Sequence, residues 1–333
     1  MSTRRRVLVT HVDQPLGRSL AIRLMEDPTV ARLDTVGAPG SEHPFEHRFA
    51  HDPERLHHHE ADLSKPRDVD ELFDRADPDA VFLLPRSSNR DALGRPWLAD
   101  VPPRTVETRL VLQQCLERGG IDQLVALGSV AAYELAAGNA NHLDERSPLA
   151  LSPEWPAAAR TWVDCDMMVH AEVHHPTLCV SLLRLATVVT CDGEFVLAPG
   201  DLGRVPLRPL GYDPMCPLVV DRDVVQAAMQ ALHLRARGVF NIAGDQSIPL
   251  SALDRARRNI RVPVPGMVLQ ALGRGLERLG ADWLGRRIDA PELRYGASLD
   301  TDRARHELGF KPAYRITLNA PDSASPTLEA LPL

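Results

Sequence analysis

The sequence predicts an α/β fold in which a doubly wound parallel sheet is followed by a small C-terminal lobe. Short apolar runs alternate with stretches of helical periodicity over the first 190 residues, a pattern typical of βαβ units and a parallel sheet. Beyond Thr190 the pattern changes, and prolines cluster at positions 199, 206, 209, 214 and 217. The chain has 333 residues, of which 44% are hydrophobic, and this is enough for one large core or two lobes.

Six short apolar runs are predicted to be the strands of the sheet. In chain order they are Val7–Thr10, Leu33–Ala38, Leu56–Ala61, Ala80–Leu84, Leu124–Gly128 and Val180–Leu185. Helical periodicity separates them; for example, Leu16, Leu20 and Leu24 share one face of the first helix. We expect residues 1–190, with parts of 218–245 returning to them, to form a nucleotide-binding-type domain. Residues 191–320 are predicted to form a substrate-type lobe, and residues 321–333 a fraying tail.

Composition limits the classes of partner. The formal charge of −7 argues against nucleic acid, because phosphate backbones require a basic face. Five scattered cysteines without CxxC spacing are typical of reduced thiols in a cytoplasmic protein. We see no signal peptide and no run long enough for a membrane span, so a cytoplasmic location is predicted. Adjacent histidines at 57–59 alternate between strand faces, so no metal site is predicted.

A set of local motifs occurs in a recognisable order. They are Val7-Leu8-Val9-Thr10 with Gly17, Ala61-Asp62-Leu63, Asp79-Ala80-Val81-Phe82-Leu83, Leu127-Gly128-Ser129, Leu183-Arg184-Leu185, Asp221-Arg222-Asp223, Gly238-Val239-Phe240-Asn241 and the stretch from Leu299 to Pro312. Together they resemble the extended short-chain dehydrogenase/reductase class, the NAD-dependent epimerase/dehydratase family with its UDP-glucose-4-epimerase-like subgroup. The resemblance covers about residues 5–315 and implies a Rossmann-type sheet.

The resemblance implies an NAD or NADP site, but the phosphate loop departs from the family's pattern. The family reads T-G-x-x-G-x-x-G after the first strand, and only Gly17 of the three glycines is kept here, with His11 and Gln14 at the other two positions. A helix N-terminus remains there, beside Arg18, as an anion site. The residues that match cofactor-binding positions are Thr10, Gly17, Arg18, Asp62, Leu63 and Leu84.

The catalytic positions are also replaced. The family uses a Ser/Thr and a Tyr-x-x-x-Lys pair, in which the tyrosine is the general acid/base. Ser129 matches the serine, whereas Trp162 and Asp166 stand at the tyrosine and the lysine. Tyr133 lies just beyond the fifth strand and could substitute, and Asp166 with His170 could form an acid–base pair, although a surface helix pair is the commoner explanation.

Three arginines are candidates for gripping an anionic ligand such as a nucleotide diphosphate: Arg184, Arg208 and Arg294. The expected function is therefore a family member with impaired or absent hydride transfer that binds a nucleotide-like or small metabolite ligand. Two alternatives stay open: an active NAD(P)-dependent oxidoreductase or epimerase acting on a nucleotide sugar or lipid-type alcohol through non-standard residues, and a non-catalytic sensor or scaffold. A homodimer through the Trp162 helix is common in the resembling family.

Overall fold

The structure is a computed structural model, and it describes residues 4–41, 45, 52, 54–86, 104–140, 142–152, 155, 157–193, 195–197, 207–256, 261–278, 291–319 and 327–333. The described strands are β1 (Arg5–Val9), β2 (Val30–Gly37), β3 (Leu56–Glu60), β4 (Ala80–Leu83), β5 (Gln123–Ser129), β6 (His142–Leu143), β7 (Cys179–Leu185), β8 (Thr187–Val189), β9 (Phe195–Leu197), β10 (Leu207–Pro209), β11 (Met215–Val220), β12 (Gly238–Ile242), β13 (Ser247–Pro249), β14 (Val262–Val264), β15 (Ser298–Leu299), β16 (Tyr314–Asn319) and β17 (Thr327–Pro332). The described α-helices are α1 (Pro15–Met25), α2 (Pro66–Ala76), α3 (Arg104–Glu117), α4 (Ala157–Ala171), α5 (Asp221–Leu234), α6 (Leu250–Ala256) and α7 (Gly266–Arg278).

A parallel sheet of seven strands forms the centre of the fold, in the order β12-β7-β5-β4-β1-β2-β3. The order reverses between β4 and β1, so the carboxyl ends of these two strands flank the crevice in which open α/β sheets bind ligands. The central strands β4, β5, β7 and β12 are buried on both faces, as strands covered by helices must be, whereas the edge strand β3 is polar and partly exposed. The predicted doubly wound, Rossmann-type sheet is confirmed.

Each face of the sheet has its own helical layer. On one face Leu20 of α1 and Val224 of α5 pack in the same cluster as Val7 of β1. On the other face, buried apolar side chains of α2 and α3 pack with Leu8, the next residue along β1, together with Val169 of α4. Successive strand residues point to opposite faces. Neighbouring residues of β1 therefore pack in the two different cores, one on each side of the sheet.

Smaller strand pairs follow the main sheet. A mixed sheet has the order β13-β11-β8-β9, and β10 pairs with β14 and β6 with β15. Near the C-terminus, β16 and β17 pair antiparallel, and Leu328 of β17 is 4% exposed. The fraying predicted for the tail is therefore wrong for Thr327–Pro332, because this segment has a strand partner and a buried apolar side chain. The boundaries of the C-terminal lobe stay a prediction.

Candidate functional site

The loop after β1 is built around buried side chains. The Thr10 hydroxyl donates to the Phe82 carbonyl at 3.3 Å and accepts from the Leu84 N–H at 2.9 Å. Thr10 and Leu84, both predicted at the cofactor site, thus lie side by side and tie β1 to β4. Gly17 packs against the same loop: a Cβ there would lie 2.4 Å from the His11 carbonyl oxygen. Glycine is required at position 17 for the helix to approach the loop this closely.

Helix α1 begins at Pro15, with Gln14 in the N-cap position. The Gln14 side chain makes no capping bond to the helix and donates instead to the Asp13 carboxylate at 3.1 Å. The other Asp13 oxygen is buried with no hydrogen-bond partner. Arg18, the predicted phosphate contact, lies exposed on the first turn. The helix start therefore carries an acidic side chain and a proline without an N–H.

His11 forms a buried contact across the edge of the sheet. Its backbone has a φ of 55° and its exposed fraction is 3%. The imidazole Nε2 lies 3.3 Å from one oxygen of Glu107, and Nη2 of Arg86 lies 3.3 Å from the other. Burial alone raises the pKa of the Glu107 carboxyl, but the His11 hydrogen bond and the arginine charges outweigh it and hold that pKa below its usual value.

Arg104, the first residue of α3, lies over the ring of Trp162. Its guanidinium carbon is 3.8 Å from the ring centroid, and its Nη2 donates to the Arg86 carbonyl at 2.8 Å. Burial lowers the pKa of Arg104, and the nearby charge of Arg86 also acts to lower it. Trp162 itself is 4% exposed. An indole with a cation stacked on it cannot exchange a proton with a substrate.

Asp166, one turn further along α4, is held by Arg184 at the end of β7. Nε and Nη2 of Arg184 donate to the two carboxylate oxygens at 2.7 and 2.8 Å, a bidentate pair in which each side chain is 1% exposed. Nη1 of Arg184 donates to the Tyr133 hydroxyl at 2.8 Å and to the Glu145 carbonyl at 3.0 Å. Burial opposes the charged form, yet Asp166 raises the pKa of Arg184 above its usual value.

Tyr133 completes this buried network. Its hydroxyl donates to the side-chain oxygen of Asn241 at 2.7 Å, and Asn241 donates to the carbonyls of Leu143 and Asp300 at 3.0 and 3.1 Å. Burial raises the pKa of Tyr133 to about 12, although the charge of Arg184 acts in the opposite direction. Tyr133 is 1% exposed. We define Asp166, Arg184, Tyr133 and Asn241 as the buried polar network.

The remaining predicted residues are spread over the molecule. The Ser129 hydroxyl accepts from the Ala131 N–H at 3.1 Å. Arg208 binds Asp254 of α6 through two contacts of 2.8 Å, and both side chains are buried. Arg294 is half-buried and follows a turn in the C-terminal region. Of the three arginines predicted to grip a ligand, Arg184 and Arg208 have carboxylate partners within the protein.

Asp62 and Leu63 follow β3 at the same edge of the sheet. Leu63 is 2% exposed and belongs to the core. The Asp62 carboxylate accepts from the backbone and hydroxyl of Ser64 at 3.1 and 2.6 Å, and Lys65 lies 3.3 Å away. Burial acts to raise the pKa of the Asp62 carboxyl. The hydrogen bonds from Ser64 outweigh this effect, so the pKa lies below its usual value. This part of the edge keeps a carboxylate that is partly open to solvent.

The dinucleotide implied by the resemblance can be tested against these residues. A pyrophosphate requires free backbone N–H groups and no like charge at the helix start, whereas Asp13 and Pro15 stand there. Proton transfer beside the nicotinamide requires an acid/base, whereas Trp162 is stacked and Asp166 is paired. The residues at the helix start do not fit the pyrophosphate, and those on α4 do not fit the family's proton transfer. Asp62 is the part of the implied site that is kept.

Sequence reasoning named Trp162, Asp166, Tyr133 and Arg184 singly and did not bring them together. It missed Asn241 and Glu107 as partners. The signal for Glu107 was weak, because an acidic residue in the first turn of a helix is usually explained by the helix dipole. In the described part of the chain, no cluster of His, Cys, Asp and Glu could hold a metal ion, and no helix is long and apolar enough to cross a membrane.

Comparisons with known proteins agree with this architecture. A sequence profile described as the NAD dependent epimerase/dehydratase family matches residues 8–189. An uncharacterized protein of Mycobacterium tuberculosis is 32% identical over 139 residues, which cover 42% of this chain and 37% of that protein. A protein of Mycobacterium bovis matches equally well. The match thus spans little more than a third of the length of these relatives.

Solved structures with the same fold cover nearly the whole chain. The structure of gox2253 has a TM-score of 0.67 at 18% identity and covers 92% of this chain and 93% of its own. UDP-glucuronic acid 4-epimerase from Bacillus cereus, in complex with NAD, has a TM-score of 0.61 at 14% identity, with 96% of each chain covered. dTDP-glucose 4,6-dehydratase from Bacillus anthracis, also with NAD, has a TM-score of 0.61 at 13% identity, with 92% and 91% covered.

Proposed function

The chain belongs to the NAD dependent epimerase/dehydratase family, and we propose that within this family it binds a nucleotide-like or small anionic metabolite without carrying out ordinary hydride transfer. One observation carries the proposal: on α4, the positions of the family's tyrosine and lysine hold an indole covered by Arg104 and a carboxylate paired with Arg184. Neither group can accept and return a substrate proton in that state.

The anionic class of the ligand follows from the charges at the edge of the sheet. Among the described residues, Arg86 and Arg104 face a single carboxylate, that of Glu107. Nε of Arg86 and Nε of Arg104 are buried without a hydrogen-bond partner among the described residues. Arg104 also begins α3, where the helix dipole adds partial positive charge. Two guanidiniums at a helix N-terminus favour a phosphate or carboxylate over a neutral ligand.

The test is a fluorescence titration with uridine diphosphate, NADH and NADPH. We expect the diphosphate to bind and to change the emission of Trp162, because Arg104 lies on its ring. Replacing Arg104 with Met removes charge-assisted hydrogen bonds of about 1.5–3 kcal/mol, so binding should weaken about 10- to 100-fold. Arg109→Met is the matched control, since Arg109 lies exposed on the same helix. Trp162→Phe tests whether the change in emission comes from Trp162, since the chain has four tryptophans.

A second candidate is an active NAD(P)-dependent oxidoreductase or epimerase with non-standard residues. The observation that favours it is Asp62, which keeps a partly open carboxylate at the end of β3. Two of the similar structures are complexes with NAD, so dinucleotide binding must be measured directly. Tight NADH or NADPH binding, lost on Asp62→Asn and accompanied by turnover, would establish this candidate and refute the first. Binding of the diphosphate without turnover of NADH or NADPH supports the first proposal, of which a non-catalytic sensor or scaffold is one form.

A further inference from the structure

Helix α7 leaves an apolar surface uncovered. Met267 is 82% exposed, and Val268 and Leu272 are 46% and 45% exposed. Leu269 and Gly273 are buried and lie four residues apart, so they mark the side of the helix that packs on the protein. Val268 and Leu272 form a second row, which faces solvent. The helix is therefore apolar both where it packs and where it does not.

The exposed apolar surface continues onto the strand pair before the helix. Val262 of β14 is 42% exposed and Leu210, just after β10, is 59% exposed. The Leu210 N–H donates to the Val264 carbonyl at 2.9 Å, two residues before α7 begins. We call Leu210, Val262, Met267, Val268 and Leu272 the α7 apolar surface. Several exposed apolar side chains on one short stretch of chain and on the strand paired with it mark an interaction site more often than isolated ones do.

Basic residues border the α7 apolar surface. Arg274 and Arg278 are exposed and lie four residues apart, so they form a row along one side of the helix. Residues 261–278 contain three arginines, the third being Arg261, and one glutamate, Glu277, whereas the whole chain has a formal charge of −7. The segment is positive in an acidic protein, and its charge complements an anionic surface.

We propose that the α7 apolar surface docks this protein on an anionic membrane surface, with α7 lying parallel to the plane of the headgroups. An exposed apolar stripe with arginines beside it is the pattern of an interfacial helix. Apolar side chains enter the boundary of the acyl region, and the arginines remain among the headgroups. This inference does not depend on the proposed ligand, which is measured without vesicles.

A second copy of the chain is the competing occupant, and the charges favour the membrane over it. A two-fold interface places the same surface on both sides. Both copies would then bring Arg274 and Arg278 to the border of one interface, and gathering like charges there opposes association. An anionic headgroup layer meets the same arginines with opposite charge.

Co-sedimentation with vesicles tests the proposal on the full chain. Vesicles of equal parts phosphatidylcholine and phosphatidylglycerol should carry the protein into the pellet, and high salt should reduce the bound fraction. Vesicles of pure phosphatidylcholine should bind much less of the protein. Two double variants should each lower partitioning into the anionic vesicles about tenfold or more. One combines Met267→Asp with Leu272→Asp, and the other combines Arg274→Glu with Arg278→Glu. The control is Leu151→Asp with Leu234→Asp, at positions 63% and 56% exposed, which should partition like the parent.

Three results would overturn the proposal. The first is a parent protein that stays in the supernatant with both kinds of vesicle. The second is equal, salt-independent partitioning into neutral vesicles, since the arginines would then play no part. The third is a dimer, measured by light scattering without lipid, that the Met267→Asp and Leu272→Asp changes dissociate. Circular dichroism confirms the fold of each variant, and these exposed positions should tolerate the changes.

Discussion

Removing the carboxylate of Asp166 is expected to lower the free energy of unfolding by about 3–5 kcal/mol. Arg184 makes four hydrogen bonds, and two of them, at 2.7 and 2.8 Å, go to Asp166. Asp166→Ala leaves the contacts to Tyr133 and Glu145 but deletes the counter-charge of a guanidinium that is 1% exposed. Two lost bonds to a charged group, at about 1.5–3 kcal/mol each, sum to about 3–6 kcal/mol, which agrees with this range at its lower end. Asp166→Asn keeps one acceptor and should cost about half as much.

Urea unfolding followed by circular dichroism measures this loss. Asp164→Ala is the matched control, because Asp164 lies exposed two residues away on α4, and it should stay within about 0.5 kcal/mol of the parent. Asp166→Leu combined with Arg184→Met replaces the pair by apolar groups and should recover most of the loss. If Asp166→Ala unfolds like the parent but loses ligand binding, Asp166 serves the ligand and the structural role argued above is wrong.

Two further predictions concern buried charges outside this network. The Asp223 carboxyl accepts from the Ala313 N–H at 2.8 Å, and burial raises its pKa to about 6 from 3.8; the folded state holds this proton more tightly than the unfolded state, so stability falls as pH rises from about 4 to 6. Asp223→Asn should therefore stabilise the protein at pH 8 by up to about 3 kcal/mol, which raises its melting temperature. Thermal melts between pH 4 and 8 should then show a flatter dependence of melting temperature on pH. An unchanged pH dependence would contradict the raised pKa of Asp223. Arg208→Met should cost about 2–4 kcal/mol in urea unfolding, because Asp254 stays buried and keeps, among the described residues, only Arg261 as a charge partner, at 3.6 Å. Asp254→Leu added to it should restore stability.

The strands were predictable because each needs only local information. An apolar run of four to six residues between turn signals identified β1, β4 and β7 closely. Strand β2 begins at Val30, earlier than the predicted Leu33, because pairing of Arg5 with Val30 extends the strand past Arg32, which interrupts the apolar run. The pairing of β17 with β16 was missed for a similar reason: a short segment near the C-terminus has too weak a local pattern, and its order comes from a partner strand.

The site was less predictable because its contacts join distant parts of the chain. Arg184 and Asp166 lie 18 residues apart on a strand and a helix, and Tyr133 and Asn241 are 108 residues apart. The motif positions predicted that each residue lies near the crevice, because the fold alone fixes that position. Whether such a residue faces a ligand or another side chain depends on its partner, and a single sequence does not indicate partners for charged residues.

The two charge clusters at the edge of the sheet differ in a way that separates structure from function. In the buried polar network each charge has its counterpart: Arg184 and Asp166 neutralise each other, and Tyr133 and Asn241 take the remaining hydrogen bonds. At the start of α3, Arg86 and Arg104 share one carboxylate, and each keeps a buried Nε without a partner among the described residues. Buried polar groups are normally satisfied, and an unmatched cation lowers stability unless an anion binds it. We therefore expect an anionic ligand to stabilise the protein through the cluster at α3, and not through the residues at the family's catalytic positions.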